Sequence, residues 1–278
     1  MKARGFTLIE LVMVITIMGV LAASLTVFLR PAIESYFDTR RRADLTDIAD
    51  TAIRRMAKDI RSAVPNSIRS VSAKCFQLVP TIAGGRYRLA PDTANDTALC
   101  APSANCSAPL DVTQPTTIFD VLSPMTAVPA ISDWVVINNQ SADDVYAGTN
   151  RGQISVAPTA PARTTDGLLR ISVASTQFSS GYDGGRFVIL PNAEPTIFYS
   201  CVGSRLYRTV AAFNANQATT CALTTGALMA TDVASCAFVY DPNHGATQQS
   251  GFVWMAISLI RDGEGVTLAH GVHVDNVP

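Results

Sequence analysis

An apolar run of 24 residues, from Phe6 to Leu29, lies close to the beginning of the chain and contains one charged residue, Glu10. About 20 apolar helical residues cross the ~30 Å of hydrocarbon in a bilayer. The run is therefore long enough to span a membrane, and it predicts an anchor helix. The carboxylate is unexpected there, because an unpaired charge in hydrocarbon costs about 2.5–3.5 kcal/mol on insertion scales.

Two basic residues, Lys2 and Arg4, precede the apolar run. Positive charge before such a run keeps that end in the cytoplasm, so the rest of the chain is predicted to lie on the far side of the membrane. The alternative is a cleaved secretory signal peptide, with Ala22-Ala23-Ser24 as its cleavage site. A signal peptide has a shorter apolar core, and here the helical pattern continues beyond that point, which favours a retained anchor.

Beyond Pro31 the pattern becomes that of an amphipathic helix. Charged residues, including Asp59, are predicted to fill its solvent-exposed face. Pro65 predicts the end of the helix, because proline disfavours helical geometry at Val64 and lacks an amide donor. We therefore expect one helix, bent near Pro31, with a transmembrane half (residues 6–30) and an amphipathic half (residues 31–64). The predicted buried face consists of Leu45, Ile48, Ala49, Ala52, Ile53, Met56, Ile60, Ala63 and Val64.

From residue 66 onward, short apolar or alternating runs separated by turn residues predict a β-rich domain, residues 66–278, packed on the amphipathic half. The fold class is therefore α+β. Gly203-Ser204 and Asp262-Gly263-Glu264-Gly265 predict tight hairpins, and Ala83-Gly84-Gly85 predicts a turn. The predicted strands are Cys75–Pro80, Tyr87–Ala90, Thr117–Leu122, Trp134–Asn138, Gly167–Ala174, Arg186–Leu190, Thr196–Val202, Arg205–Val210, Ala234–Tyr240, Phe252–Arg261 and Val266–Val274.

Two stretches, residues 91–115 and 141–166, are rich in small, polar and turn-forming residues and predict long loops. Long loops in a compact domain are often functional, so these are candidate partner contacts. Tolerated surface insertions are an equally good interpretation.

The six cysteines all lie beyond the anchor, and none forms a CxxC pair, which argues against a zinc site. An even number in such a position predicts disulfides in an oxidising compartment, with free thiols as the alternative. Three cysteines precede residue 107 and three follow residue 200, so complete pairing requires at least one bridge between the halves. A bridge between the second and third would close a surface loop. The disulfide candidates are Cys75, Cys100, Cys106, Cys201, Cys221 and Cys236.

The stretch RGFTLIELVMVITIMGVLAA, residues 4–23, resembles the N-terminal signal of type IV prepilins and pseudopilins. The resemblance implies a pilin-like fold and a leader peptide, residues 1–5. It also implies that an inner-membrane prepilin peptidase cuts after Gly5 and N-methylates Phe6. Glu10 matches the family's glutamate, whose carboxylate neutralises the N-terminal amine of an adjacent subunit in the filament.

Elementary electrostatics agrees with that role for Glu10. Cleavage creates an amine at Phe6, four residues away, so one subunit displaced by about one helical turn against another brings the charges together. A buried charge is tolerable when it is paired. The alternative is that the Glu10 side chain extends to the lipid headgroups from a shallow depth.

The other partners follow from the same resemblance. They are other minor and major pilins, contacted through the N-terminal helix, and the inner membrane before assembly. The implied location is a single-pass inner-membrane protein with a periplasmic head that later joins a pilus at the cell surface.

Segments near the end of the chain and at the end of the helix carry a further resemblance. Residues 232–243 and 252–278 are similar to the C-terminal part of O-type minor pilins of mannose-sensitive haemagglutinin (MSHA) pili, as are residues 54–69. The latter are also similar to J-type minor pseudopilins of type II secretion. The resemblance implies a minor pilin that initiates pilus assembly near the tip. The alternatives are a secretion pseudopilin, or a membrane-anchored periplasmic binding or adhesin module.

No catalytic motif is present, and we predict that the chain is not an enzyme. The histidines are His244, His270 and His273, and the last two have an odd separation that places them on opposite faces of a predicted strand. No nucleophile elbow or phosphate-binding glycine loop occurs.

No cofactor is predicted, although acidic loop residues raise calcium as an alternative. Asp92 with Asp96, Asp143 with Asp144, and Asp241 are the acids concerned. Calcium takes six to eight oxygen ligands, and no D-x-D-x-D run supplies them, so solvated loop acids are the simpler interpretation. The net charge of −1 provides no general attraction to nucleic acid, and no nucleic-acid partner is predicted.

Overall fold

The computed structural model describes residues 5–97, 100–102, 105–181, 184–243 and 250–275. A long helix is followed by a β-rich region, which confirms the α+β class. The helices are α1 (Leu8–Arg61) and α2 (Asp144–Ala147). The strands are β1 (Arg69–Ser72), β2 (Cys75–Leu78), β3 (Ala83–Arg86), β4 (Thr116–Val121), β5 (Trp134–Val136), β6 (Arg151–Thr159), β7 (Leu169–Thr176), β8 (Arg186–Leu190), β9 (Thr196–Val202), β10 (Arg205–Ala211), β11 (Ala227–Ala230), β12 (Val233–Asp241), β13 (Ser250–Arg261) and β14 (Glu264–Asp275).

Helix α1 is continuous over 54 residues, with Pro31 inside it. The Thr7 hydroxyl caps its start by accepting a hydrogen bond from the Glu10 backbone N–H at 3.4 Å. The buried face begins at Leu45 and follows the predicted steps of three and four. The predicted amphipathic pattern is therefore confirmed from that point onward.

The helix ends at Arg61, three residues before the predicted end at Val64. Val64 instead donates its N–H to the Val79 carbonyl at 2.8 Å, next to a bridge between Ala63 and Pro80. The residue before a proline favours an extended conformation, and here Val64 uses it to pair with the segment that follows β2.

The strands form three sheets in which every pairing is antiparallel. Their orders are β1-β2-β9-β10-β11, β12-β13-β14 and β3-β8-β5-β6-β7-β4. Because β2 and β9 are hydrogen-bonded neighbours, the chain between them, residues 79–195, is an insertion that builds the six-stranded sheet. We call this insertion the insertion lobe. The other two sheets, with the amphipathic half of α1, form the helix lobe.

Each lobe has its own hydrophobic core. In the helix lobe, α1 packs on β11, β13 and β14, and the Phe76 and Tyr199 rings stack beneath it with centroids 5.2 Å apart. In the insertion lobe, Phe119 and Phe187 meet edge to face at 5.6 Å. A smaller cluster joins the lobes where the segment after α1 meets β5 and β8; it contains Val64, Val79, Val136, Val145, Tyr146 and Leu190.

Three local predictions in the insertion lobe are wrong. Ala83-Gly84-Gly85 belongs to strand β3, not to a turn, whereas residues 87–90 form no strand. The glycines are explained by close packing, because a Cβ at Gly85 would lie 3.0 Å from the Phe187 ring. The stretch 141–166 is not a plain loop, since it contains α2 and the nine-residue strand β6.

Strands β1 and β11, at the edges of the five-stranded sheet, were not predicted. The two hairpins were predicted correctly, with Gly203 at φ +59° and Asp262-Gly263 at +50° and +85°. The described parts of residues 91–115 contain no helix or extended strand, as expected for a long loop.

Candidate functional site

The first part of α1 makes no buried contact within the chain. Every residue from Gly5 to Phe37 is exposed, and the helix is long and apolar enough to cross a membrane. An apolar surface of this length in contact with water is unfavourable, so it requires lipid or other apolar helices around it. This is consistent with a membrane-anchored protein.

Glu10 lies in the first turn of this exposed helix. Its carboxylate is exposed, and it has no hydrogen-bond or ion-pair partner among the residues that the structure describes. Phe6 is 79% exposed just before the helix begins. The predicted new N-terminus and the carboxylate are thus both accessible, about one turn apart, at the free end of α1. Lys2 and Arg4 lie outside the described residues.

Two glycines in this region are not required by packing against any residue that the structure describes. A Cβ placed on Gly5 or on Gly19 would have no atom within 4 Å. Glycine inside a helix costs roughly 1 kcal/mol relative to alanine, and at Gly19 no internal packing offsets that cost. Packing among the described residues therefore does not explain glycine at either position.

Residues 1–26 match a family model, the prokaryotic N-terminal methylation motif. The motif indicates a type IV pilin-like prepilin, a class of structural rather than enzymatic subunits. It covers the leader, the predicted cleavage site, Glu10 and most of the membrane half of α1. No curated protein and no solved structure matches the chain.

All six cysteines are paired. One bridge joins β2 to the loop between β10 and β11, across 146 residues of sequence. It is the bridge between the two halves of the sequence that complete pairing of the cysteines requires. A second joins β9 to β12 and so ties the two sheets of the helix lobe together. The third closes a short loop in the insertion lobe. The pairs are Cys75–Cys221, Cys201–Cys236 and Cys100–Cys106.

A buried ionic network attaches α1 to the five-stranded sheet. Asp59, predicted to face solvent, is only 5% exposed, and its carboxylate accepts hydrogen bonds from the Tyr199 hydroxyl and the Arg208 guanidinium, each at 2.8 Å. Arg208 also donates to Glu194, and these bonds lower the pKa of the Glu194 carboxyl. Burial raises the pKa of Tyr199. Sequence reasoning missed this network because its partners are about 140 residues apart along the chain.

The acids considered for calcium form contacts within the chain. Asp143 accepts from Arg69 at 2.5 Å, and the Asp144 carboxylate accepts from the backbone N–H of the preceding loop. Asp96 accepts from the Ser107 hydroxyl and from Arg163. Within the described ranges, no three His, Cys, Asp or Glu side chains lie together as metal ligands.

The two described histidines, His270 and His273, both lie on β14 and have different neighbours. His270 pairs with Met255 across β13 and β14, and His273 contacts the Phe252 ring, with centroids 5.0 Å apart. His244 lies outside the described residues.

Proposed function

We propose that this chain is a minor pilin of an MSHA-type type IV pilus that acts in the initiation of assembly near the pilus tip. The prepilin peptidase would cut after Gly5 and methylate Phe6, and α1 would hold the subunit in the inner membrane until assembly. One observation carries the pilin part of the proposal: the methylation motif continues into an apolar helix that is exposed all round and has a carboxylate one turn from the new N-terminus. The MSHA type and the place near the tip are supported only by the resemblance of residues 54–69, 232–243 and 252–278.

The pairing of Glu10 with a neighbour follows from charge and position. The positive amine of Phe6 would lie at the positive end of the helix dipole, which is an unfavourable place for a cation. An ion pair between this amine and the Glu10 carboxylate of a neighbouring helix would offset the unfavourable position of the amine. It would also offset the cost of burying the carboxylate. Helix packing in lipid depends on close contact between small residues, and Gly19, Ala22 and Ala23 provide a small-residue surface for it.

Mass spectrometry of the N-terminus, in cells with and without the peptidase, tests the processing. We expect a chain that begins with methylated Phe6 when the peptidase is present, and the full leader when it is absent. A mature chain that begins at Met1 or after Ala23 in the presence of the peptidase would contradict the proposal.

Replacement of Glu10 tests its pairing. We expect Glu10→Ala to be processed and inserted normally but to be largely lost from sheared pili. Glu34→Ala is the matched control, because Glu34 is exposed on the same helix and pairs only with Arg30 in the described residues. Equal incorporation of the two variants would remove the pairing role and would leave the membrane anchor unaffected.

The principal alternative is a J-type pseudopilin of type II secretion, which the helix-end stretch, residues 54–69, also resembles. Deletion of the gene separates the two functions: loss of pili with normal secretion supports the minor pilin, and loss of secretion with normal pili supports the pseudopilin. A membrane-anchored binding module would show neither defect.

A further inference from the structure

Strand β14 forms a long, regular edge of the three-stranded sheet. It pairs with β13 along the whole of Glu264–Asp275 without a register shift, and no described strand lies on its other side. The edges of the five-stranded sheet, β1 and β11, are only four residues long, and each has a shifted register. Natural proteins shorten or bulge their edges in this way, because an exposed edge strand invites another chain to pair with it.

The remaining edges are covered or closed. Strand β12 has a shifted register, and its Phe238 N–H donates to the Ala73 carbonyl at 2.8 Å. In the insertion lobe the two outer strands of the six-stranded sheet come together, because the Leu122 N–H, just after β4, donates to the Arg86 carbonyl of β3 at 2.8 Å. Among the described strands, β14 is therefore the one long edge without such protection.

The turn of the β13–β14 hairpin determines which backbone groups of β14 face outward. This two-residue turn, Asp262-Gly263, has positive φ at both positions. In such a hairpin the flanking pair, Arg261 and Glu264, exchanges both of its backbone hydrogen bonds. Bonded and non-bonded pairs alternate along an antiparallel ladder, so the N–H and C=O groups of every second residue of β14 point away from β13. The residues concerned are Gly265, Thr267, Ala269 and Gly271.

We call these four residues the outward row. All four are exposed, and their N–H and C=O groups have no hydrogen-bond partner among the residues that the structure describes. Their side chains are small, so another backbone can approach closely. On the core-facing side, Val266 and Leu268 pack against the core of the helix lobe but are only half-buried. No Asp, Glu, Lys, Arg or Pro lies between Gly265 and Val272, so the edge fits an uncharged strand with apolar core-facing side chains.

We infer that β14 accepts an extended, uncharged segment of a different polypeptide as an added strand. Backbone hydrogen bonds to the outward row supply the affinity, as in other cases of strand addition to a sheet edge. Apolar side chains of the added strand complete the burial of Val266 and Leu268 and supply the specificity. The inference goes beyond the proposed function, because that function concerns α1 and this partner binds the head.

A second copy of this chain does not fit as the antiparallel partner. Two β14 edges joined in that way are related by a two-fold axis perpendicular to the sheet. Helix α1 packs on the face of the same sheet, so this axis reverses the direction of the helix. The two membrane halves would then point in opposite directions and could not enter one bilayer. The occupant of the edge is therefore a strand from another protein.

Amide hydrogen exchange of the full-length protein in detergent micelles, followed residue by residue by NMR, tests the inference. The probe is the peptide acetyl-Lys-Val-Thr-Val-Thr-Val-Lys-amide, whose centre is uncharged and whose terminal lysines keep it soluble. Without the peptide, we expect the Thr267 and Ala269 amides to exchange fast and the Leu268 amide, which is bonded to β13, to exchange slowly. Peptide at about ten times its Kd should slow the exchange of Thr267 and Ala269 about tenfold.

A proline at the edge separates strand addition from other binding. Ala269→Pro removes an outward donor and leaves the ladder with β13 intact, and sheets tolerate proline at such edge positions. We expect this variant to bind the peptide at least about tenfold more weakly, because the ring also prevents close approach of the added strand. Ala269→Val keeps the N–H and is the matched control, which should bind like wild type. If thermal unfolding shows that Ala269→Pro loses the fold, Thr267→Pro repeats the test at another outward position.

Several results would overturn the inference. Slow exchange of Thr267 and Ala269 without the peptide would show that the edge is already covered. Lack of protection by the peptide, or equal binding by Ala269→Pro and Ala269→Val, would exclude strand addition at β14. Protection that appears without the peptide as the protein concentration rises would identify a second copy as the occupant and overturn the choice of partner. Processing at Gly5 and the pairing of Glu10 do not enter these measurements, so the inference and the proposed function fail separately.

Discussion

Replacement of Asp59 by Asn would test whether the buried network fastens α1 to the helix lobe. Asp59 and Arg208 are 5% and 8% exposed, and the carboxylate accepts hydrogen bonds from Arg208 and from Tyr199. Removing one partner of a buried ion pair costs about 3–5 kcal/mol, because the other charge stays buried without compensation. In Asp59→Asn, Glu194 continues to pair with Arg208, so we expect a loss of stability at the lower end of this range, about 3 kcal/mol.

Urea unfolding of the full-length protein in detergent measures this cost, with fluorescence of Trp254 on β13 as the signal for the helix lobe. For a domain of this size the loss corresponds to a decrease in Tm of about 6–12 °C. Asp50→Asn is the matched control on the same helix, because Asp50 forms an exposed pair with Arg54. Such a pair contributes at most about 0.5 kcal/mol.

A double replacement separates the network from the charge alone. Asp59→Leu with Arg208→Met removes both charges of the buried pair and leaves Glu194, whose side chain is 39% exposed and stays hydrated. We therefore expect it to be more stable than Asp59→Asn by itself, since apolar residues often replace a buried pair at little cost. The reasoning is refuted if Asp59→Asn and Asp50→Asn differ by less than about 1 kcal/mol, or if the double replacement is the least stable variant.

Two further predictions concern stability. The Ser107 hydroxyl and Arg163 hold the pKa of the Asp96 carboxyl well below its usual range, so its stabilisation is complete above about pH 3.9, the unfolded value, and is lost as the pH falls towards the folded value. The Tm difference between wild type and Asp96→Asn should therefore be largest at neutral pH and shrink below about pH 4; a constant difference would contradict this. Replacement of the cysteines of the Cys75–Cys221 bridge by serine should lower the free energy of unfolding by about 5 kcal/mol, and the same change at Cys100–Cys106 by only about 2 kcal/mol. The difference is expected because the first bridge closes a much longer loop and so restricts the unfolded chain more. Equal losses in urea unfolding would contradict this loop-entropy argument.

Features set by local pattern were predictable from the sequence. The membrane half of α1 is indicated by continuous apolar residues. The buried face of its amphipathic half is indicated by apolar residues at steps of three and four. The hairpins at Gly203 and Asp262-Gly263 depend on turn chemistry within a few residues. The end of α1 was misplaced because Val64, which is extended before Pro65, donates its N–H to the distant Val79 carbonyl and does not continue the helix.

Features decided by distant contacts could not be predicted. The helix pattern predicts that Asp59 is exposed to solvent. Its burial is explained by its contact with Arg208, which lies far along the chain. Strand β6 contains Gly152 and Pro158 and has a partly exposed end, so it lacks the alternation that marks a strand. Arg86 and Arg186 are 100 residues apart, and their opposition exists only through the register of β3 and β8. The N-terminal motif, in contrast, is a local pattern and was predictable.

The topology separates the attachment of α1 from the insertion lobe. If α1 is the assembly surface, tension along a filament enters the head through the helix lobe, where the Asp59 network and the two long-range disulfides, Cys75–Cys221 and Cys201–Cys236, fasten the helix and its sheets. The insertion lobe leaves the five-stranded sheet after β2 and returns at β9, which are themselves paired, so that sheet stays closed whatever the insertion contains. Its loops can therefore change in sequence without disturbing the attachment of α1.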